Sequence, residues 1–412
     1  MGSGFRKNGQ KRRSDMYHKS DFEPNRDEML HILDKTIGFL NRMEAIPLAD
    51  ADRRIVSEPL TAPYNLPNKP ASGMDGIAVR YDDAAAAATG PLNWKEGTEY
   101  EYSNTGVAIP DAYDTVIRIE NVEKDSDGKI SITEKPEKKG ENVHPTGSQL
   151  RKGEVIIEKG EMLNPAKIGL LTSAGITCVP VYEKPHVIFI PTGDELVTAG
   201  GKVPDGANVE SNGAMVLAML KRFGCIPSAM PVIPDEPEAI KEAVKKAVGQ
   251  ADLVIIGAGS SKGSKDYTMD VLEELGQVKV QELRVAPGKH NSLTLVGNIP
   301  VMGIPGPPTG AQLICEYYVQ AAVQIMMTGK RREPLRIKAV LDTDIKGKWI
   351  DFMQSVDLYW NKDILYARPI SMQGGTRATG RNAFMQILYC EKARDYSAGE
   401  SVKIEFPVGT DT

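Results

Sequence analysis

Three apolar runs in the second half of the chain each end in a loop rich in glycine, hydroxyl and charged residues. His186-Val-Ile-Phe-Ile-Pro leads into Thr192-Gly-Asp-Glu195. Leu253-Val-Ile-Ile leads into Gly257-Ala-Gly-Ser-Ser-Lys-Gly-Ser-Lys-Asp266, and Ile299-Pro-Val-Met-Gly into Ile304-Pro-Gly-Pro-Pro-Thr-Gly-Ala311. Glycine lets a backbone approach phosphate oxygens, and each following helix offers free N–H groups. Carboxylates and ammonium groups in the same loops point to a phosphorylated ligand handled with a metal ion.

Each loop also has a plainer use. Thr192, Gly193, Asp194 and Glu195 sit where Mg2+ or a ligand hydroxyl can meet the two acids, but Asp194 could equally cap a helix or loop. Gly259, Ser260, Ser261, Lys262 and Gly263 can cradle anionic oxygens ahead of Asp266, although their spacing is not that of a Walker A loop. The alternative is a surface loop with Asp266 as an N-cap. Pro287 and Gly288 fix a turn that presents Lys289 as a cation, and Pro305 and Gly306 open a stiff turn into a helix. Ser72-Gly-Met-Asp75-Gly and Thr105-Gly read by themselves as turn pairs.

The three loops meet at one site if their strands are parallel neighbours, because ligands of an open parallel sheet bind beyond the carboxyl ends of the strands. Strands and helices alternate through this region, which predicts a doubly wound α/β domain over 186–330. Helices are expected at 212–223, at 237–248, after Asp266, and from Thr309 to Met327. Apolar spacing predicts another at 25–43. Short strands punctuated by Pro and Gly predict a small β domain over 63–149, and alternating runs after Pro334 predict a C-terminal β domain over 331–412. Residues 21–62 and 150–185 are expected to form one discontinuous domain, and residues 1–20, polar and basic, a disordered arm or expression remnant.

The 412 residues exceed one ordinary domain. A net charge of -5 argues against a nucleic-acid protein, and no apolar run is long enough for a membrane helix. With no secretory signal evident, a cytoplasmic location is expected. Cys178, Cys225, Cys315 and Cys390 lack metal-ligand or redox spacing and read as buried thiols; the five histidines give no zinc pattern.

In order and spacing, Ser72-Gly-Met-Asp75-Gly, Thr105-Gly, Gly140-Glu-Asn, Pro191-Thr-Gly-Asp-Glu195-Leu, Asp235-Glu-Pro-Glu, Gly263-Ser-Lys-Asp266, Pro287-Gly-Lys289 and Pro305-Gly resemble the molybdopterin molybdenumtransferase (MoeA-like) family over about residues 25–410. The resemblance implies the four domains outlined above and a homodimer. It implies Mg2+-dependent insertion of molybdate or tungstate into adenylated molybdopterin, with release of AMP. Asp75, Glu195, Asp266 and Lys289 would be catalytic, with Glu195 and Asp266 holding the metal. Thr105, Thr192, Gly193, Asp194, Asp235, the 259–263 loop, Pro287, Gly288, Pro305 and Gly306 would bind substrate. Asp75 and Thr105 would face the pocket of the partner subunit. Contact with a molybdopterin adenylyltransferase or a recipient molybdoenzyme is a further implication.

The chain departs from the family pattern in four places: Ala258-Gly-Ser-Ser-Lys-Gly263, Ala286 and His290 around Pro-Gly-Lys, Pro307 after Pro-Gly, and Ser148-Gln149 after Gly147. These leave two other readings open, a diverged paralogue that carries a pterin or finished cofactor without metal transfer, and a dimeric scaffold.

Overall fold

The computed structural model describes residues 23–88, 90–258, 267–371 and 386–407. The expected arm, and Gly259, Ser260, Ser261, Lys262, Gly263 and Asp266, lie outside these residues. The chain divides into two compact units, one of residues 42–182 and one of residues 1–41 with 183–412.

The larger unit is built on a six-stranded sheet. Its order is Ile226–Ala229, His186–Pro191, Leu253–Ala258, Ile299–Pro305, Ser292–Val296, Gln277–Val280. The first four strands are parallel and the last two antiparallel. The parallel part follows from sequence alternation, since each crossover carries a helix. Both faces are apolar, as such a sheet requires. Val187, Phe189, Leu253 and Ile255 pack against Val216, Met219 and Leu220 of the helix Asn212–Arg222. Ile188, Ile190, Val254 and Ile256 pack against Ile240, Val244 and Ala247 of the helix Pro237–Val248 and Leu272 of Thr268–Leu275.

The first helix is Arg26–Thr36, shorter than the expected 25–43. Asn25 and Glu28 form its capping box, and Ile37 leaves the helix in extended backbone ahead of Gly38. Although the sequence boundaries grouped it with 150–185, it buries Met29, Leu30 and Leu33 in the larger unit's core beside Tyr318, Ala322 and Met326. Arg26 is also held there. It is an ion-pair partner of Glu405, itself bonded by Arg336 at 2.9 Å, and lies 5.8 Å and 5.5 Å from the ring centres of Tyr317 and Tyr389.

The expected helix from Thr309 runs as Pro308–Ile314, a π-helical stretch Cys315–Val319, and Gln320–Thr328. Glu316 in the π stretch is buried and pairs with Arg222. The strands after Pro334 form a closed ring, because Asp351–Asn361, Ile364–Pro369, Arg336–Leu341, Ser401–Glu405 and Ile387–Cys390 pair in succession and the last returns to the first. Val285–Ala286 adds to its rim on Asp351–Phe352.

In the smaller unit, Met43–Pro47 pairs with Cys178–Tyr182 and Leu60–Thr61 with Val155–Ile157, over a core of Leu48, Val56, Leu163, Leu171 and Val181. Between them lies the expected β segment. Gly76–Val79 there is flanked by Tyr100–Ser103 and Thr115–Arg118. Three of the four cysteines are buried as expected, with burial pushing the Cys225 and Cys390 thiols up to about 12; Cys178 is exposed.

Candidate functional site

The chain leaves the strand His186–Pro191 for one neighbour, Ile226–Ala229, then crosses to the other, Leu253–Ala258. Two successive connections therefore diverge where these strands end, which opens a crevice at the carboxyl edge of the sheet. Register brings the ends together: Pro191 stands opposite Gly257, and Ala258 opposite Pro305. The buried Thr192 hydroxyl donates to the Gly257 carbonyl at 2.5 Å, locking the two strand ends. The first and third loops thus converge as expected, and the strand Leu253–Ala258, which leads into the middle loop, ends at the same edge.

A cleft of about 630 Å³ occupies this position. Phe189, Pro191, Thr192 and Gly257 form its floor, Glu195 and Leu196 one side, and Gly306, Pro307 and Pro308 another. Gly193 at φ +148 bends the chain so that the exposed Glu195 carboxylate reaches the cleft; a Cβ there would lie 2.9 Å from Glu195 Oε2. Asp194 turns to structural work. Its Oδ1 accepts the Asp235 amide at 3.0 Å, a loop-capping bond that sets Asp235 beside it.

Sequence reasoning missed the opposite wall, Asn208, Val209, Glu210, Ser211 and Asn212. Glu210 accepts the Gly213 amide at 2.7 Å and so caps the start of the helix that follows. The Asn212 side chain donates to the Gly306 carbonyl at 2.9 Å, while its buried Oδ1 has no hydrogen-bond partner among the described residues. The only signal is the string Asn208-Val-Glu-Ser-Asn212 before an apolar helix, which carries a single acid and no glycine loop.

Lys289 sits on a neighbouring turn. The Ala286–Pro287 peptide is cis and Gly288 has φ +114, where a Cβ would come within 2.3 Å of Ile314. Lys289 Nζ is 3.4 Å from Glu282 Oε2, and His290 Nδ1 is 3.1 Å from Glu282 Oε1. The helix beginning at Pro308 brings this turn to the cleft wall: a Cβ on Gly310 would lie 3.0 Å from Pro305 and 3.8 Å from Pro287.

Asp75 and Thr105 belong to the smaller unit and form their own arrangement. One Asp75 oxygen accepts both the Thr105 amide at 2.8 Å and its hydroxyl at 3.1 Å. The Gly106 amide donates to the Ser72 carbonyl at 2.7 Å, so the two motifs that read as separate turns build one exposed loop pair. Gly76 is obligatory behind it, since a Cβ would lie 1.9 Å from the Ile117 carbonyl oxygen.

Among the described residues no group of three His, Cys, Asp or Glu side chains surrounds a metal position. Mg2+ is commonly held by only one or two protein carboxylates, and Glu195 is an exposed carboxylate on the cleft wall.

Comparison with known proteins gives a consistent answer over most of the chain. Residues 25–175 match the MoeA N-terminal region (domain I and II), and residues 188–324 match a probable molybdopterin binding domain. The molybdopterin molybdenumtransferase of Haemophilus influenzae is 30% identical over 387 residues, 90% of this chain and 95% of that protein. That of Bacillus subtilis is 27% identical, over 88% of this chain and 89% of its own. The solved molybdopterin biosynthesis moeA protein of Pyrococcus horikoshii superposes with a TM-score of 0.78 at 26% identity, covering 93% of this chain and 99% of that one.

Proposed function

The chain belongs to the molybdopterin molybdenumtransferase (MoeA) family of molybdenum cofactor biosynthesis, and on that premise we propose that it inserts molybdate or tungstate into adenylated molybdopterin and releases AMP. The observation that carries the reading is the cleft itself, a crevice large enough for a nucleotide-sized ligand at the strand switch point, with the exposed Glu195 carboxylate on its wall.

The metal oxyanion is a substrate here: it would be placed on the dithiolene with loss of oxygen as water. Water would cleave the phosphoanhydride, so that AMP leaves and the remaining phosphate stays on the pterin. Glu195 and Asp266 would hold Mg2+, which would supply charge neutralisation for the phosphates. Thr192, Gly193 and Gly306 shape the floor and wall against which the phosphates rest, with Asp194 and Asp235 fixing the loop behind them. The 259–263 loop, rich in glycine and serine, would donate N–H and hydroxyl groups to the same oxygens. Lys289 would offset charge on the departing phosphate, held on a turn that Pro287 restrains and Gly288, at φ +114, permits. Phosphoryl chemistry of this kind rests on positioning and electrostatics more than on a covalent intermediate. The enzyme would act as a cytoplasmic homodimer, with Asp75 and Thr105 of one subunit facing the pocket of the other.

The test is incubation of the purified chain with adenylated molybdopterin, Mg2+ and either molybdate or tungstate, following AMP and metallated pterin together. The expected result is equimolar appearance of both. Tight binding with no AMP would mean a carrier, and no binding a scaffold.

A further inference from the structure

Lys289 does not stand alone on its turn. Its Nζ lies 5.8 Å from the ring centre of Trp349, inside the range of cation–π attraction. Trp349 comes from the C-terminal ring of strands and leaves 71% of its surface exposed, an unusual place for the largest apolar side chain. The exposure does not come from a loose loop. Gly347 donates to Asp395 at 2.8 Å, Lys346 pairs with the same carboxylate, the Lys348 carbonyl accepts the Ala393 amide at 2.8 Å, and Ile350 is buried. Gly347 passes so close to Arg394 that a Cβ would lie 2.7 Å from its carbonyl oxygen. The indole is therefore displayed on a backbone pinned from both sides.

The surroundings narrow what such an indole could meet. Lys348 places a second ammonium next in sequence, 4.0 Å over the ring of Phe352. Val285–Ala286 pairs with Asp351–Phe352, so the Lys289 turn and the Trp349 turn are joined by one ladder. Pro287 on the first turn packs near Gly310 and Pro305 at the cleft wall. Trp360 makes a useful contrast: it is 68% exposed, yet among the described residues it has no cation over its ring. We propose that Trp349 is a stacking platform for the fused nitrogen heterocycle of the substrate, with Lys289 taking the attached phosphate. The ligand class is a purine or pterin carrying a phosphate. This deepens the function proposed above and rests on it.

The experiment uses the full chain. Affinities of AMP, neopterin monophosphate and ribose 5-phosphate are measured by calorimetry for wild type, Trp349→Ala and Trp349→Phe. In a Trp94→Phe/Trp360→Phe background, Trp349 is the sole tryptophan and its emission is followed in the same titrations. Expected is a loss of about 5- to 100-fold for AMP or neopterin monophosphate in Trp349→Ala, the range of base stacking on an aromatic side chain. Trp349→Phe should stay within about threefold of wild type, ribose 5-phosphate should not distinguish the three proteins, and the ring ligand should quench Trp349. The ligand that responds identifies the half of the substrate on the platform. Equal affinity of both ring ligands for wild type and Trp349→Ala, with unchanged emission, overturns the platform. If Trp349→Ala also kept the wild-type KM in the AMP-release assay, the platform would fall while the transferase reading stood. Failure of the wild type to bind either ring ligand or to release AMP would sink both.

Discussion

Two adjacent acids, Asp194 and Glu195, share a motif and part company in the fold. Both are exposed, but Asp194 spends an oxygen on the Asp235 amide, whereas Glu195 lines the cleft wall. Their residue types announced chemistry, but only the backbone turn at Gly193 decides which one lines the cleft. Replacing Glu195 with Gln keeps the shape and removes the charge. Turnover should fall by about 100-fold, the scale of losing one preorganised electrostatic group. Thermal stability should barely change, because the side chain is exposed. A loss below threefold in the AMP-release assay would move the essential charge elsewhere. Asp75 teaches the same lesson differently: Asp-Gly and Thr-Gly are common turns, and no local pattern says that a residue 30 positions away will complete the hydrogen bonding.

At the level of elements, the alternation of strands and helices made the central sheet readable, and the helix Pro237–Val248 falls where proline, acids and glycine put it. The antiparallel pair at one edge was not legible, since a short apolar strand carries no sign of its direction. Nor was the π-helical stretch Cys315–Val319, where the apolar period continues and only the hydrogen-bond pattern changes. That stretch buries Glu316 against Arg222. Burial raises the Glu316 pKa above its usual value, with Arg222 pulling the other way. A carboxyl whose folded pKa is raised adds stability that is full below the unfolded pKa and is lost as pH rises through the folded one. Glu316→Gln lacks that loss. Its unfolding free energy relative to wild type should therefore climb as pH rises from about 4.5, where unfolded glutamate titrates. Denaturant melts of both proteins between pH 4 and 7 would show a constant difference if Glu316 were not responsible.

For the whole molecule, the proposed homodimer makes a demand that single-chain activity cannot meet. If Asp75 serves the partner's pocket, Asp75→Asn and Glu195→Gln chains are each deficient, but a mixed dimer holds one pocket with both native groups. Co-expression with two different affinity tags, followed by purification of the mixed species, should restore up to about half of wild-type activity per dimer, as complementary defects separate onto different sites. Mixed dimers no more active than the parents would place Asp75 and Glu195 in the same chain's pocket or outside it.

The first helix carries a consequence of another kind. Arg26 closes on Glu405, 379 residues later, while the entire unit of residues 42–182 is encoded between that helix and its packing partners. During synthesis at 5–20 residues per second, Arg26 waits roughly 20–80 s for its carboxylate to be made. The inserted unit, whose strands pair among themselves, can be finished on the ribosome long before. The outer unit has to keep an amphipathic segment in reserve until Tyr318, Ala322 and Met326 have been made, so long-range closure, rather than any local nucleus, times its completion.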